Sequence, residues 1–387
     1  MSMDQAALMA ALQSVIDPNT GKDFVSTKLL KNLRAQGASV SFDVTLGYPA
    51  RSQIAPIRQM LEDAARSVPG VQQATANVNF KIIAHSVQRG VPLLPGVKNM
   101  IAVASGKGGV GKSTTAANLA LALAAEGARV GMLDADIYGP SQPTMMGVHG
   151  SPEHDGQVMQ PLIGHGVQVN SIGLMVKQGQ AMIWRGPMVT QALDQLMRQT
   201  AWHDVDYLIV DMPPGTGDVQ LSISQRAPVT GAVIVTTPQD IALMDARRGI
   251  AMFEKVGVPI LGVVENMAVY RCTQCGHEEH IFGAGGGQRM AEEYKVAYLG
   301  GLPLSLSIRE RLPHRGGRAR QRRGRHLPRH CPPHRREGGR TGQGLFQPLS
   351  DHHRLQYLRA CSRLRGRRRA GGRRVVFFCS FIRSMRS

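Results

Sequence analysis

Cysteine is nearly absent from this chain: five occur in 387 residues, none precedes Cys272, and two of the five form one CxxC. That usage argues against a disulfide framework and leaves everything before Cys272 without a thiolate to hold a metal. No apolar run reaches the roughly 18 residues of a spanning helix. The opening MSMDQAALMAALQSV has no basic segment ahead of its apolar residues, so no secretory signal is expected. A cytoplasmic protein is the expectation. A basic body is lacking too. The net charge is +19, but residues 311–387 hold 22 arginines, no lysine and only two acids, Glu337 and Asp351, which leaves residues 1–310 at −1. The length suits two or three domains.

The chain is organised around the stretch Lys98–Leu123, KNMIAVASGKGGVGKSTTAANLALAL, in which Ser105–Gly111 is dense in glycine. Met100–Ala104 reads as a short buried strand and Ser105–Gly111 as a glycine loop. Ala116, Ala117, Leu119, Ala120 and Leu123 read as a helix packed on a sheet. Strand, loop and helix in that order are the context of a phosphate-binding loop. Gly106, Gly108, Gly109 and Gly111, with Val110 among them, let successive N–H groups converge on phosphate oxygens, and the helix start adds its positive dipole end. Lys112 can reach the β- and γ-phosphates and the Ser113 hydroxyl can ligand Mg²⁺; Thr114 ends the binding segment 106–114. A glycine-rich turn without a ligand is the competing reading.

Two later strands end in acids. Ala128–Leu133 runs into Asp134-Ala135-Asp136, and Asp206–Val210 into Asp211-Met212-Pro213-Pro214-Gly215-Thr216-Gly217-Asp218. Carboxylates at such strand ends fall where a magnesium nucleotide binds in an open sheet. Asp211 follows a near-continuous apolar strand, as a Walker B acid does, and can hold magnesium through water. The glycines after it permit a switch loop to move. Asn266, after the apolar strand Ile260–Glu265, can read a purine edge. Strands at 100–104, 129–133, 206–210, 231–236, 260–264 and 297–300 predict an α/β fold, a mostly parallel sheet with helices on both faces.

Cys272 and Cys275 can share one metal or cluster, but they supply only two of its four ligands. Either His277 and His280 complete a zinc site within one chain, or a twofold axis joins two CxxC pairs. A redox dithiol or an inert turn also fits the spacing.

Ahead of the glycine loop, residues 1–85 predict a small α+β domain. Helical spacing at 4–16 ends in the turn Asp17-Pro18-Asn19-Thr20-Gly21. Strands follow at 29–33 and 38–46, then a helix at 51–67 and a strand at 78–83. Residues 86–97 read as the linker and 98–310 as the nucleotide-binding domain. Beyond 310 the Arg-rich segment has no period of 2 or 3.6 and cannot assemble a core.

GKGGVGKST resembles the deviant P-loop of the MinD/Mrp class of ATPases, and DADIYGPS and DMPPGTGD resemble the switch I and Walker B segments of its Mrp/ApbC-type iron–sulfur carriers. Residues 4–83, with their DP…G turn, resemble more loosely the iron–sulfur assembly domain often fused ahead of such ATPases. The resemblance implies a Mg²⁺-dependent, slow ATPase working as a homodimer. In it Lys107 reaches the partner subunit's nucleotide, Lys112 binds phosphate, Asp136 positions the attacking water and Asp134 supports the metal shell. Asn266 contacts adenine, and Cys272 and Cys275 of both subunits bridge one [4Fe–4S] cluster that passes to acceptor apoproteins. Iron–sulfur assembly proteins are the other implied partners; neither a membrane nor nucleic acid is. The segment MIWRGP at 182–187 matches as well, without giving Arg185 a role. The alternative is a MinD/ParA-like positioning ATPase with a structural zinc at the CxxC. Its membrane form needs a C-terminal amphipathic helix, which residues 311–374 do not encode and VVFFCSFI at 375–382 is too short to replace. After Ile308-Arg309-Glu310 the family pattern calls for a D-x-G-x-P element and a closing helix. Their absence implies that the Arg-rich tail is a frameshift product; the alternative is an arm that binds nucleic acid by counterion release.

Overall fold

The computed structural model describes residues 4–88, 90–175, 186–272 and 275–304. Arg185 with most of its MIWRGP segment, the linker residue Arg89, the two residues inside the CxxC and the whole Arg-rich tail lie outside the described residues.

The first unit contains α1 (Gln5–Gln13), β1 (Leu30–Gln36), β2 (Ser39–Leu46), α2 (Ile54–Arg66) and β3 (Gln73–Phe80). Asp4 caps α1 by accepting the Ala6 N–H at 2.9 Å. β2 pairs antiparallel with β1 and parallel with β3. Its alternating Val40, Phe42, Val44 and Leu46 bury against Leu8, Leu12, Ile57, Leu61 and Ala65 of the two helices. The DP turn is fastened from within: the buried Asp17 carboxylate accepts from the Asn19 N–H, the Thr20 hydroxyl and the Tyr48 hydroxyl, all at 2.8–2.9 Å. The last strand starts earlier than its hydrophobic residues suggest, because the inward positions include small Ala76. Ile82 has already left this unit and packs in the next core.

The second unit contains β4 (Val97–Ala104), α3 (Lys112–Ala125), β5 (Val130–Asp134), α4 (Gln142–Met146), β6 (Leu162–Gly164), β7 (Val167–Ser171), α5 (Gly186–Arg198), β8 (Val205–Asp211), α6 (Asp218–Arg226), β9 (Gly231–Thr236), α7 (Asp240–Lys255), β10 (Ile260–Arg271), β11 (Glu278–Glu279), α8 (Gly286–Glu293) and β12 (Tyr298–Leu304). The strands lie in the order β6-β7-β5-β8-β4-β9-β10-β12. All of these pairs are parallel except β6 with β7. Both faces are covered. Along β4, Met100, Ala102 and Ala104 enter a core with α5, α6, α7 and α8, while Ile101 and Val103 enter another with α3. A parallel strand buried on both sides reads as an unbroken apolar run, which is why β4, β8 and β9 were legible.

Two features depart from the expected pattern. The hairpin β6–β7 adds a short edge that sequence periodicity did not announce. β10 does not end at Glu265 but continues through Asn266 and Met267, the latter at φ +56°, to Arg271. Its partner β9 ends opposite Glu265. Beyond that point β10 pairs with β11 through Tyr270 and Arg271, while its other edge stays with β12 as far as Leu304.

The two units meet at the far end of α3. The Arg51 N–H donates to the Glu126 carbonyl at 3.0 Å. The Ser52 N–H and hydroxyl donate to the two Glu126 carboxylate oxygens at 3.0 and 2.7 Å. Phe80 packs against both cores. Burial pushes the Glu126 carboxyl above its ordinary range, opposed by the Ser52 hydrogen bonds and Arg51. Its stabilising contribution is therefore complete below about 4.5 and is lost as pH rises through the elevated folded value. Glu126→Gln can keep both contacts, because the Ser52 hydroxyl can turn to accept from the new amide. Glu126→Ala loses both and should destabilise the junction by about 1–3 kcal/mol. Limited proteolysis of the 81–96 connection should accelerate in the alanine variant and not in the glutamine variant.

Candidate functional site

The glycine loop joins the C-terminal end of β4 to α3, as its order in the chain requires. Gly111 is the residue before the helix, at φ +82°, and offers no side-chain cap to the first-turn N–H groups. A β-carbon there would also overlap the Asn266 amide nitrogen. Gly106 is required for another reason: its β-carbon would overlap the Asp245 backbone of α7. The helix after β9 therefore rests directly on the loop. At Gly108 and Gly109, by contrast, a β-carbon would meet nothing within 4 Å. An uncapped helix start beside open glycine backbone fits a polyphosphate.

Lys112 is buried, with its ammonium 2.5 Å from Asp211 Oδ1 and 3.9 Å from Asp136 Oδ2. The structure thus brings together the P-loop lysine and the two acids that the sequence placed at the ends of β8 and β5. Asp136 also accepts the Gly139 N–H at 3.2 Å, and burial raises its carboxyl despite the opposing charge of Lys112. Asp134 has a different environment. Its oxygens accept from the N–H groups of Asp136, Ser141 and Gln142 and from the Ser171 hydroxyl, at 3.0–3.2 Å. Burial, with the Asp211 charge adding to it, pushes the Asp134 carboxyl up to about 7. Asp134 accordingly fastens the loop that carries Asp136. Lys107 is half-buried and forms no ion pair among the described residues. Asn266, nearly buried, donates its amide to the Val110 carbonyl of the loop at 2.8 Å.

The donors suit a magnesium nucleotide. Ser113 and Asp211 offer the hard oxygens that Mg²⁺ takes directly or through water, and buried Gln142 Oε1 lacks a hydrogen-bond partner among the described residues.

The CxxC lies in a hairpin at the same edge of the sheet. The Cys272 N–H donates to the His277 carbonyl at 2.9 Å and the Gly276 N–H to the Cys272 carbonyl at 3.0 Å. Cys272 is half-buried and Cys275 exposed. His280 Nδ1 donates to the Ala268 carbonyl at 2.7 Å. Among the described residues no group of three or more His, Cys, Asp or Glu side chains is placed to hold a metal ion.

A family model described as "NUBPL iron-transfer P-loop NTPase" matches residues 96–322. The chain belongs to this family. The match covers the whole second unit of this P-loop NTPase and runs past Glu310. A second model, "Iron-sulfur cluster assembly protein", matches residues 5–78, the first unit. The NTPase is 57% identical over 254 residues to an iron-sulfur cluster carrier protein of Pseudomonas fragi, covering 65% of this chain and 88% of that one. It is 47% identical over 310 residues to an iron-sulfur cluster carrier protein of Salmonella typhimurium, with 80% and 84% covered. A solved nucleotide-binding protein in complex with ADP, from Archaeoglobus fulgidus, superposes with a TM-score of 0.50 at 36% identity, over 55% of this chain and 84% of that one. The resemblance drawn from GKGGVGKST, DADIYGPS and DMPPGTGD is the family relationship itself.

Several residues of the NTPase site escaped sequence reasoning. Asp245 and Ser171 act through packing and a hydrogen bond across distant chain positions. Glu265 accepts the Gly287 N–H at the start of α8 and so ties that helix to the residue before Asn266. Gln142 follows DADIYGPS directly, but nothing in its spacing marks it.

Proposed function

We propose that the chain is a Mg²⁺-dependent ATPase that carries a [4Fe–4S] cluster between the CxxC pairs of a cytoplasmic homodimer and passes it to acceptor apoproteins. One observation carries this reading: a single strand, β10, presents Asn266 to the P-loop at Val110 and ends next to Cys272. A change at the phosphates therefore has a short covalent route to the thiolates. Exposed Tyr138, Ile241, Met244 and Ile281, on segments following β5, β9 and β11, supply apolar surface for a second copy.

In the proposed reaction, residues 106–114 bind the triphosphate of ATP, with Lys112 on the β- and γ-phosphates and Lys107 completing the partner's site. Ser113, and Asp211 through water, would hold Mg²⁺, which would neutralise developing phosphate charge. Asp136 orients the attacking water. When the γ-phosphate leaves, Lys112 retains Asp211 and Asp136 as counter-charges, and the loop after Asp211 is released to move. The dimer contact then differs between nucleotide states, and with it the hold on the cluster.

The experiment is anaerobic reconstitution with iron and sulfide, followed by transfer to an apoprotein acceptor with ATP, ADP or no nucleotide. Transfer whose rate differs between ATP and ADP is expected. Identical rates under all three conditions would remove the coupling from the proposal.

A further inference from the structure

Gln142 lies at the centre of the nucleotide site and nothing above gives it a task. It is the first residue of α4 and is completely buried. Its backbone N–H donates to Asp134 Oδ2 at 3.0 Å. Its side-chain Nε2 donates to the Ser113 carbonyl and to Asp211 Oδ2, both at 2.9 Å. Both partners of Nε2 are acceptors, so the amide cannot be turned over without placing oxygen against oxygen. That orientation leaves Oε1, on the same carbon as Nε2, buried without a hydrogen-bond partner among the described residues.

A buried amide with one unsatisfied end is costly, and a leucine would fill a comparable volume without that cost. The cost is understandable if Oε1 has an acceptor's work to do. Asp211 has its Oδ1 toward Lys112 and its Oδ2 toward Gln142. The carboxylate that would hold magnesium through water is thus clamped from two sides, and the same amide ties it to the main chain of Ser113, whose hydroxyl would be a metal ligand. Carboxylates that serve metals are oriented by such outer hydrogen bonds, and loss of one commonly weakens metal binding by about 10–100-fold.

We propose that Gln142 is a positioning residue of the magnesium site: its Nε2 fixes Asp211 to the P-loop helix, and its Oε1 accepts from a water of the metal's hydration shell. This inference rests on the ATPase reading above. It assigns to the loop after β5 a second function, distinct from that of Asp136: Asp136 faces the lysine, whereas Gln142 faces the metal's carboxylate.

The test titrates MgCl2 into full-length protein bound to a fluorescent ATP analogue, and in parallel follows ATP turnover against Mg²⁺. Gln142→Leu should raise the half-saturating Mg²⁺ concentration about tenfold in both assays. Affinity for the analogue without metal should stay within about twofold, because no phosphate contact is lost. Gln142→Met, which follows the same unbranched path through the core, should behave alike and serves if the leucine variant fails to fold. A support that is merely structural would lower the melting temperature and weaken metal-free binding while leaving the half-saturating Mg²⁺ concentration unchanged; that pattern would overturn the inference. Wild-type protein that binds no nucleotide at any Mg²⁺ concentration would overturn the ATPase reading and this inference together. A wild type that responds to magnesium, beside variants with the same response, would overturn this inference alone.

Discussion

Lys112→Ala should reduce ATP turnover at least about a hundredfold, the loss typical when a preorganised charge on the transferring group is removed. The side chain is buried, 2.5 Å from Asp211 and 3.9 Å from Asp136. Its removal takes away the counter-charge of both carboxylates, and breaking a buried pair in this way costs about 3–5 kcal/mol. The consequence for stability depends on pH. Asp134 and Asp136 are already raised by burial, and Lys112 opposes that rise for each. Their elevated values favour the folded state fully below the ordinary 3.8, and that contribution is lost as pH rises, for Asp134 up to about 7. Without Lys112 both carboxyls rise further, so the variant should lie closer to wild type in melting temperature at pH 5 than at pH 8. Lys107→Ala should behave differently. Its ammonium has no carboxylate partner among the described residues, so nucleotide binding should survive while hydrolysis falls. Turnover by Lys112→Ala within about threefold of wild type would contradict the assignment of this lysine to the phosphates.

Replacing either cysteine of the CxxC should abolish cluster binding altogether. After anaerobic reconstitution the wild-type dimer should hold about four irons and four sulfides, with two thiolates from each subunit. Cys272→Ser and Cys275→Ser should each retain less than about a tenth of that iron, because a hydroxyl lacks the softness that selects iron–sulfur chemistry. Any dimer that depends on the cluster should be lost in the same samples on gel filtration. His280→Ala should keep its iron, because two CxxC pairs already supply the four thiolates that the cluster needs. His277→Ala should keep it as well. A stoichiometry of one zinc per chain, lost in His277→Ala, would replace the bridging cluster with a clip inside one chain.

The parts of this site that could be read from the chain are those in which neighbours in sequence are neighbours in space. Met100–Ala104, the glycines of 106–111 and Lys112–Ser113 form one continuous strand, loop and helix, so their order alone marks them as a candidate phosphate-binding loop. Asp211 was legible because a parallel strand covered on both faces is apolar until its end, and a sudden acid there stands out. Cys272 and Cys275 announced themselves by spacing, although spacing left the other two ligands open.

Long-range contact decided the rest. That α7 lies against Gly106, that Asn266 holds the Val110 carbonyl and that β10 runs on to the cysteine hairpin follow from sheet order and register, which no local pattern encodes. The small domain's attachment is of the same kind: Ser52 meets Glu126 only because the helix that begins at the glycine loop ends where the first unit packs. Gln142 is the clearest instance. A single glutamine carries no periodicity, and its meaning arises only when β5, β8 and α3 converge and enclose its amide between Ser113 and Asp211. Sequence by itself determined the fold class and marked the P-loop and the CxxC as the candidate sites, because covalent order and hydrophobic period suffice for both. Tertiary structure decided which buried donors meet which acceptors, because in a close-packed interior a hydrogen-bond partner is chosen by where whole strands and helices come to rest.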